Sequence, residues 1–124
     1  MNDLELGTIL VYVEDLARAV DFYGDCLGLP VRRVDADHGF VSFELGDVQL
    51  GLVEAGEDLV GRQTGIGFRV GDIASAHRNL TESGVRFLSP PEAQPWGAWM
   101  AVFCDPDGNV FYLEQPPPPG DALH

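Results

Sequence analysis

A short segment that occurs twice constrains the fold of this chain more than any other feature. Val13-Glu14-Asp15-Leu16 aligns with Val70-Gly71-Asp72-Ile73 at an offset of 57 residues, and Gly28 then matches Gly84 with a shift of one position. In each copy an apolar run is followed by an aspartate suited to cap a helix, an amphipathic stripe and a glycine suited to end that helix. The sequence therefore predicts an internal duplication.

Strand and helix patterns occur in the same order in both copies, because alternation of apolar and polar residues indicates strands and spacings of three and four residues indicate helices. In the first copy they are an apolar run ending at Val13, a helical stripe of Leu16, Val20, Tyr23 and Leu27, and strand-like stretches at Val31–Val34, Phe40–Leu45 and Val48–Val53. In the second copy they are Thr64–Val70, a stripe of Ile73, Ala76, His77 and Leu80, and stretches at Val85–Leu88, Ala98–Cys104 and Val110–Glu114.

This order predicts the α+β class, with two tandem βαβββ modules in one structural domain. The predicted boundaries are residues 1–54 for the first module, 55–63 for a linker, 64–115 for the second module and 116–124 for a proline-rich tail. One helix covers only one face of a four-stranded sheet, so the other face needs cover. We expect the two modules to join their sheets into an open, cup-shaped mixed β-sheet with the helices on the outside.

The segment Phe103–Gln115 predicts the β-hairpin that ends the second module. Its centre, Asp105-Pro106-Asp107-Gly108-Asn109, is typical of a tight turn because proline fixes one φ angle and glycine and asparagine tolerate a positive φ. Alternate residues of the second arm point to opposite faces of the sheet. Tyr112 and Glu114 are therefore expected on the face that turns away from the helix.

The charge of the chain is strongly acidic, with 7 Lys and Arg against 20 Asp and Glu, a net charge of −13 and a pI near 4.2. Such a field disfavours nucleic acid and anionic membranes as partners, and it attracts a cationic small molecule if the acids line a cleft. Since no signal-peptide pattern and no membrane-length apolar run occur, we expect a cytoplasmic protein. Cys26 and Cys104 lack metal-type spacing and are predicted to be reduced core residues.

Three segments, V-E-D-L-A-R-A-V-D-F-Y-G-D-C-L-G-L, the second V-G-D-I, and D-P-D-G-N-V-F-Y-L-E-Q, carry a family resemblance. Together they resemble the vicinal oxygen chelate superfamily, which includes glyoxalase I, extradiol dioxygenases, fosfomycin-inactivating thiol transferases and bleomycin-type resistance proteins. The resemblance covers nearly the whole chain apart from the tail. It is fairly specific for the fold and unspecific for the reaction.

The resemblance also implies where a metal ion would bind, because metalloenzymes of this superfamily hold a divalent ion through His, Gln or Glu on the first and last strands of the two modules. Carried over onto this chain, those positions fall on Thr8, Gly51, Gly65 and Tyr112. Glycine has no side chain, and neutral threonine and tyrosine cannot replace imidazole and carboxylate as ligands of a transition metal. We therefore expect no metal and no other cofactor.

The other residues that could carry chemistry are scattered along the chain. His38, His77 and His124 fall in a loop, in a helix and at the chain end, and no two are spaced for joint ligation of a metal. Asp105 and Asp107 lack the alternating oxygen ligands and the distal glutamate of a calcium loop. No glycine-rich phosphate loop or nucleophile elbow occurs. We assign no catalytic residue.

What remains is a predicted binding surface, made of strand positions that face away from the helices and of aromatic side chains that offer flat faces to a planar guest. The predicted ligand-binding residues are Thr8, Leu10, Tyr12, Gln49, Gly51, Gly65, Gly67, Arg69, Trp96, Trp99, Tyr112 and Glu114. The glycines at the two ligand positions, Gly51 and Gly65, are expected to widen the surface. Packing in a core or interface stays open for the tryptophans, and a simple solvated role stays open for the charged and amide groups.

Three functions remain in competition. The preferred hypothesis follows the resemblance to the non-catalytic resistance branch: a homodimer that binds and sequesters a hydrophobic or aromatic drug-like molecule. The alternative is a lyase, isomerase or dioxygenase-like enzyme of the same fold, with Glu114 or Tyr112 as acid or base. The third is a domain that scaffolds or regulates a biosynthetic complex and binds no small molecule. Ligand titration, metal analysis and a partner pull-down separate the three.

Overall fold

The computed structural model describes residues 3–117. The chain divides into two compact units, with the boundary between Val60 and Gly61. Most of the predicted proline-rich tail, residues 118–124, lies outside the described residues. No helix within residues 3–117 is long and apolar enough to cross a bilayer.

The first unit has the predicted order of elements. Its strands are β1 (Thr8–Val13), β2 (Val31–Asp35), β3 (Phe40–Leu45) and β4 (Val48–Glu54). Helix α1 (Leu16–Val20) follows β1 and continues as a π-helical stretch, Asp21–Cys26. Short 3-10 turns span Ala36–His38 and Glu57–Leu59.

The second unit repeats this order. Its strands are β5 (Gln63–Arg69), β6 (Arg86–Ala93), β7 (Trp99–Cys104) and β8 (Val110–Gln115), and its helix is α2 (Ile73–Glu82). Strand β6 continues beyond Leu88, where the prediction ended it, and includes Pro90 and Pro91. Proline has no backbone N–H to donate, and it is tolerated in β6 because β6 is an edge strand of its sheet.

Each unit builds one mixed sheet with the same topology, in the strand order β1-β4-β3-β2 for the first and β5-β8-β7-β6 for the second. The first and last strands of each unit pair in parallel, and the remaining neighbours pair antiparallel. The α+β class and the βαβββ order are confirmed. The joining of the two sheets into one cup stays a prediction.

Both helices begin at the aspartates that the repeat predicts. Asp15 Oδ1 accepts a hydrogen bond from Arg18 N at 3.1 Å, and Asp72 Oδ1 accepts one from Ser75 N at 3.2 Å. These bonds satisfy backbone donors that the first turn of a helix leaves free. The hydrogen bonds from the backbone and side chain of Ser75 also lower the pKa of Asp72 below its ordinary value of 3.8, because they favour the charged carboxylate.

A second side chain ties the start of each helix to the last strand of its unit. Leu16 N donates to Glu54 Oε2 at 3.2 Å, and Ile73 N donates to Gln115 Oε1 at 2.9 Å. Glu54 ends β4 and Gln115 ends β8, the strands that lie beside β1 and β5. The first turn of each helix is thus held to the same side of its sheet in both units.

The expectation of one uninterrupted helical stripe in the first unit is wrong beyond Val20. The chain widens there into the π-helical stretch, which has more residues in each turn than an α-helix and shifts the buried face. Ala19, Phe22 and Tyr23 are buried, whereas Val20 and Leu27 are only half-buried. Tyr23 then packs on the ring of Phe43 in β3, with centroids 6.1 Å apart.

The core of each unit lies between its sheet and its helix. In the first unit the buried strand residues are Val11, Val13, Val41, Phe43, Leu50 and Leu52. In the second unit, the rings of Phe103 and Phe111 stack at 5.5 Å, and the ring of Phe68 lies 5.8 Å from Phe111. The alternation predicted for β1, β5 and β8 is confirmed by this packing.

The loop between β7 and β8 is organised by one carboxylate. Asp105 Oδ1 accepts hydrogen bonds from Asp107 N at 2.9 Å and from Asn109 N at 2.8 Å, and Asp105 Oδ2 accepts one from Asn109 Nδ2 at 2.9 Å. Asn109 Oδ1 in turn accepts a bond from Arg62 N at 2.9 Å. Asp105 and Asn109 are both buried. The predicted hairpin turn is confirmed, and it also anchors the chain that enters β5.

Replacing Asp105 with alanine is expected to destabilise the protein, because three donors lose their acceptor and two of them belong to buried Asn109. The free energy of unfolding should fall by about 3 kcal/mol, since each unsatisfied buried donor costs about 1–3 kcal/mol. Urea denaturation followed by circular dichroism measures the change. The control is Asp47→Ala in the exposed turn between β3 and β4, where the loss should stay within about 0.5 kcal/mol. Equal losses in the two variants would contradict this account.

Candidate functional site

The face of the first sheet that turns away from α1, here called the open face of the first unit, gathers several predicted site residues. The register pairs Thr8, Leu10 and Tyr12 of β1 with Gln49, Gly51 and Val53 of β4. Gln49 Nε2 donates a hydrogen bond to Thr8 Oγ1 at 3.0 Å. Leu10 and Tyr12 remain 53% and 40% exposed, so apolar and aromatic surface is left uncovered by this unit. Their role in holding a ligand stays a prediction.

The expectation that Gly51 widens this face is wrong. A Cβ atom at Gly51 would lie 2.7 Å from Leu10 Cδ2 and 2.9 Å from Phe40 Cε1, so the space above the glycine is already occupied. The absence of a side chain at Gly51 lets Leu10 and Phe40 close over β4. The result is a continuous apolar floor rather than a deeper hollow.

A pocket of about 350 Å³ lies on the open face beside this floor. It is lined by Arg32, Arg33, Phe40 and Gln49. Only Gln49 among these four residues belongs to the ligand-binding residues predicted from the sequence. The acidic lining that would favour a cationic guest is not found in this pocket, since two of the four lining residues are arginines.

A β-bulge explains why two adjacent arginines line one pocket. Val31 pairs with Phe43 and Arg33 pairs with Ser42, so Arg32 is an extra residue in β2 with no place in the regular register. A bulge sets two residues of one strand against one residue of its partner and interrupts the alternation of faces. Regular alternation would have sent Arg32 and Arg33 to opposite sides. The bulge was missed because the segment V-R-R-V also fits an ordinary edge strand.

Ser42 lies on the same face, cross-strand from Arg33 and Gly51. The residue is fully buried, and its Oγ is the one buried side-chain oxygen or nitrogen in residues 3–117 that has no hydrogen-bond partner. Leaving a buried hydroxyl without a partner costs about 1–3 kcal/mol. The sequence carried no signal for this residue, because a lone serine within a strand is common.

The open face of the second unit, which turns away from α2, brings together four more predicted residues. Gly67 pairs with Tyr112, and Arg69 pairs with Glu114. The carboxylate of Glu114 lies over Gly67, with Cδ 3.6 Å from the position a Cβ would take. The Tyr112 hydroxyl donates to Gln63 Oε1 at 3.2 Å. These groups offer an aromatic ring, a carboxylate and a guanidinium on one surface.

Met100 and Val102 also belong to this face, because the register pairs them with Glu114 and Tyr112. Neither residue is among those predicted from the sequence. Alternation along both arms of the hairpin would have placed them on the same face as Tyr112. These half-buried side chains add apolar surface beside Tyr112.

Trp99 does not share the face of Tyr112, contrary to the prediction. Trp99 pairs with Gln115, whose side chain accepts the hydrogen bond from α2, so the register places Trp99 on the helix-bearing side of the sheet. Trp96 lies in the loop between β6 and β7 and is 64% exposed, while Trp99 is 44% exposed. Within this unit neither ring is packed into the core.

A glycine is favoured at position 65 by the backbone conformation, and not by a lack of room for a side chain. Its φ is +71°, and no heavy atom would lie within 4 Å of a Cβ at this position. The pairing between β5 and β8 shifts between Gln63 and Gly67, so Gly65 forms part of a second bulge. A positive φ is readily adopted by glycine and is costly for most other residues.

The sequence also offers histidines and cysteines as possible metal ligands or nucleophiles. Within residues 3–117 no three His, Cys, Asp or Glu side chains lie close enough to hold a metal ion. His38 Nδ1 lies 3.0 Å from Asp35 Oδ1 on the surface, and the ring of His77 meets that of Phe87 edge-on at 4.4 Å. Burial raises the pKa of the Cys104 thiol, which keeps it protonated and unreactive.

Substituting alanine for Gly65 is expected to lower the free energy of unfolding by about 1–2 kcal/mol, because an L side chain is disfavoured at this positive φ. Gly71 is the matched control, since a Cβ there also meets open space and its φ is not positive. Gly71→Ala should change stability by less than about 0.5 kcal/mol. Thermal denaturation of both variants provides the measurement, and a neutral Gly65→Ala would show that the bulge does not depend on glycine.

Comparison with known proteins agrees with this geometry. The chain shares 28% identity over 124 residues with the uncharacterised protein YraH of Bacillus subtilis (strain 168), an alignment that covers 89% of this chain and 97% of YraH. It shares 31% identity over 87 residues with a bleomycin resistance protein of Klebsiella pneumoniae, covering 64% of this chain and 69% of that protein.

Among solved structures, TnmS3, an antibiotic binding protein from Streptomyces sp. CB03234, superposes with a TM-score of 0.81 at 31% identity, over 94% of this chain and 98% of TnmS3. The family model of the glyoxalase/bleomycin resistance protein/dioxygenase superfamily matches residues 5–113. The resemblance inferred from the sequence motifs is therefore confirmed, and the chain belongs to the glyoxalase/bleomycin resistance protein/dioxygenase superfamily.

Proposed function

We propose that this protein binds and sequesters a hydrophobic or aromatic drug-like molecule, without a metal and without catalysis. The observation that carries the proposal is the open face of the first unit. Leu10 and Tyr12 are largely exposed there, and a pocket of about 350 Å³ opens beside the ring of Phe40. Exposed aromatic surface next to a concave pocket is the usual composition of a small-molecule site.

The donor chemistry at the positions of the family's metal ligands supports the same proposal. At these four positions Thr8 accepts a hydrogen bond from Gln49, Tyr112 donates one to Gln63, and Gly51 and Gly65 supply no side chain. Hydroxyl and amide groups of this kind orient a guest through hydrogen bonds, and they are poor ligands for a transition metal ion.

The relatives point in the same direction. TnmS3 is an antibiotic binding protein and the relative from Klebsiella pneumoniae is a bleomycin resistance protein, each 31% identical to this chain over the aligned region. An aromatic contact contributes about 0.5–1.5 kcal/mol beyond the burial of area, so several such contacts hold a flat guest without any covalent step. We expect the protein to act as a homodimer in the cytoplasm.

A lyase or isomerase of the same superfamily is the alternative function. Tyr112 and Glu114 support it, because they share the open face of the second unit and can serve as acid and base. Metal analysis of the purified protein separates the two functions. A stoichiometric nickel, zinc, iron or manganese ion that survives dialysis would favour the enzyme.

Equilibrium dialysis against a panel of aromatic antibiotics tests the proposed function. We expect at least one compound to be retained at micromolar concentration. Tyr12→Ala should weaken its binding by about five- to tenfold, because an aromatic contact of about 1 kcal/mol is lost. The control is Val34→Ala, which removes an exposed apolar side chain paired with buried Val41 on the helix-bearing side of the same sheet.

Two results would contradict the proposal. One is that the protein retains no compound of the panel at high micromolar concentration. The other is that Tyr12→Ala and Val34→Ala weaken retention equally, since the open face would then have no special part in binding.

A further inference from the structure

We propose that the pocket beside Phe40 holds an acidic group of the ligand, a carboxylate carried on an aromatic body, with Arg32 and Arg33 as its counter-charges. This inference rests on the proposed function and adds the chemical class of the guest. It runs against the overall charge of the chain, which would favour a cationic guest.

The side chains of the two arginines lack a counter-ion within the described part of the chain. The chain has 20 Asp and Glu residues and only 7 Lys and Arg residues, so a basic side chain has many possible partners. Within residues 3–117, however, neither the side chain of Arg32 nor that of Arg33 makes a hydrogen bond or an ion pair. Two neighbouring arginines that line one pocket and lack a counter-ion form a site of positive charge in an acidic protein.

The second argument is the geometry that the bulge in β2 creates. Because Arg32 is the extra residue between Val31 and Arg33, both arginines line the same pocket. A guanidinium offers a planar fork of donors that matches the two oxygens of a carboxylate. Two adjacent guanidinium groups therefore bind a carboxylate more tightly than they bind a neutral group of the same shape.

The third argument concerns what surrounds the charge. The ring of Phe40 lines the pocket and meets Leu10 above Gly51, so an apolar platform lies next to the arginines. Charge beside an apolar platform suits an aromatic acid better than an inorganic anion. The pocket volume of about 350 Å³ also lies at the lower end of the range for small-molecule sites.

Within the described residues, no acidic side chain on this face is paired with either arginine. Two acids share this face, Asp35 opposite Phe40 and Glu44 opposite Gln49. Asp35 is engaged by His38 at 3.0 Å, and Glu44 forms no ion pair with either arginine.

A pair of isosteric probes tests the inference. 2-Naphthoate and 2-naphthamide have the same ring system and differ in the charge of one group. In equilibrium dialysis followed by ultraviolet absorbance, we expect the full chain to bind naphthoate about tenfold more tightly than naphthamide, as charge-assisted bonds require. Arg32→Gln and Arg33→Gln should each reduce this preference, and the double variant should abolish it. Arg78→Gln on the outer helix α2 is the control and should leave it unchanged.

The outcomes separate this inference from the proposed function. Equal affinity for naphthoate and naphthamide, or a preference that survives the double arginine variant, would overturn the acidic-group pocket while leaving aromatic binding intact. Failure of naphthoate to bind at millimolar concentration would also overturn the inference. The antibiotic panel decides the proposed function independently, since its readout does not depend on Arg32 or Arg33.

Discussion

A single helix for each four-stranded sheet is the constraint on which this molecule depends. The helix is held at its first turn by two side chains, a capping aspartate and a residue at the end of the last strand, such as Asp72 and Gln115 in the second unit. One face of the sheet can then build a core, and the opposite face is left with apolar and polar groups that the unit does not cover. Surface of that kind is unfavourable in water unless something binds it, which makes the uncovered face the natural place for a function.

Much of the fold could be predicted from the sequence because its signals are local. The capping aspartates Asp15 and Asp72 and the loop centred on Asp105 each act through residues within a few positions of themselves. The bulges at Arg32 and Gly65 could not be predicted in the same way, because a bulge is defined by the partner strand. Regular alternation assigns Arg32 and Arg33 to opposite faces, and the pocket was missed for that reason.

The electrostatics show why a total charge is a poor guide to a site. Acidic residues dominate the chain, and the sequence alone predicts attraction of a cationic guest if those acids line a cleft. The pocket on the first sheet nevertheless carries Arg32 and Arg33 next to an aromatic ring. Long-range charge affects the approach of any ligand, whereas selectivity depends on the few groups within contact distance. For the selectivity of this pocket, the placement of two arginines therefore matters more than the net charge of the chain.

The anchoring of Arg62 has a consequence for the history of the molecule. Its N–H bonds the side chain of Asn109 at 2.9 Å and its carbonyl accepts from Val110 N at 2.8 Å, so the backbone just after the boundary at Val60 is completed from within its own half. A unit whose first strand is anchored by its own last hairpin carries the signal for its starting point within itself. Such a unit can be repeated in tandem, which agrees with the βαβββ order that occurs twice along this chain.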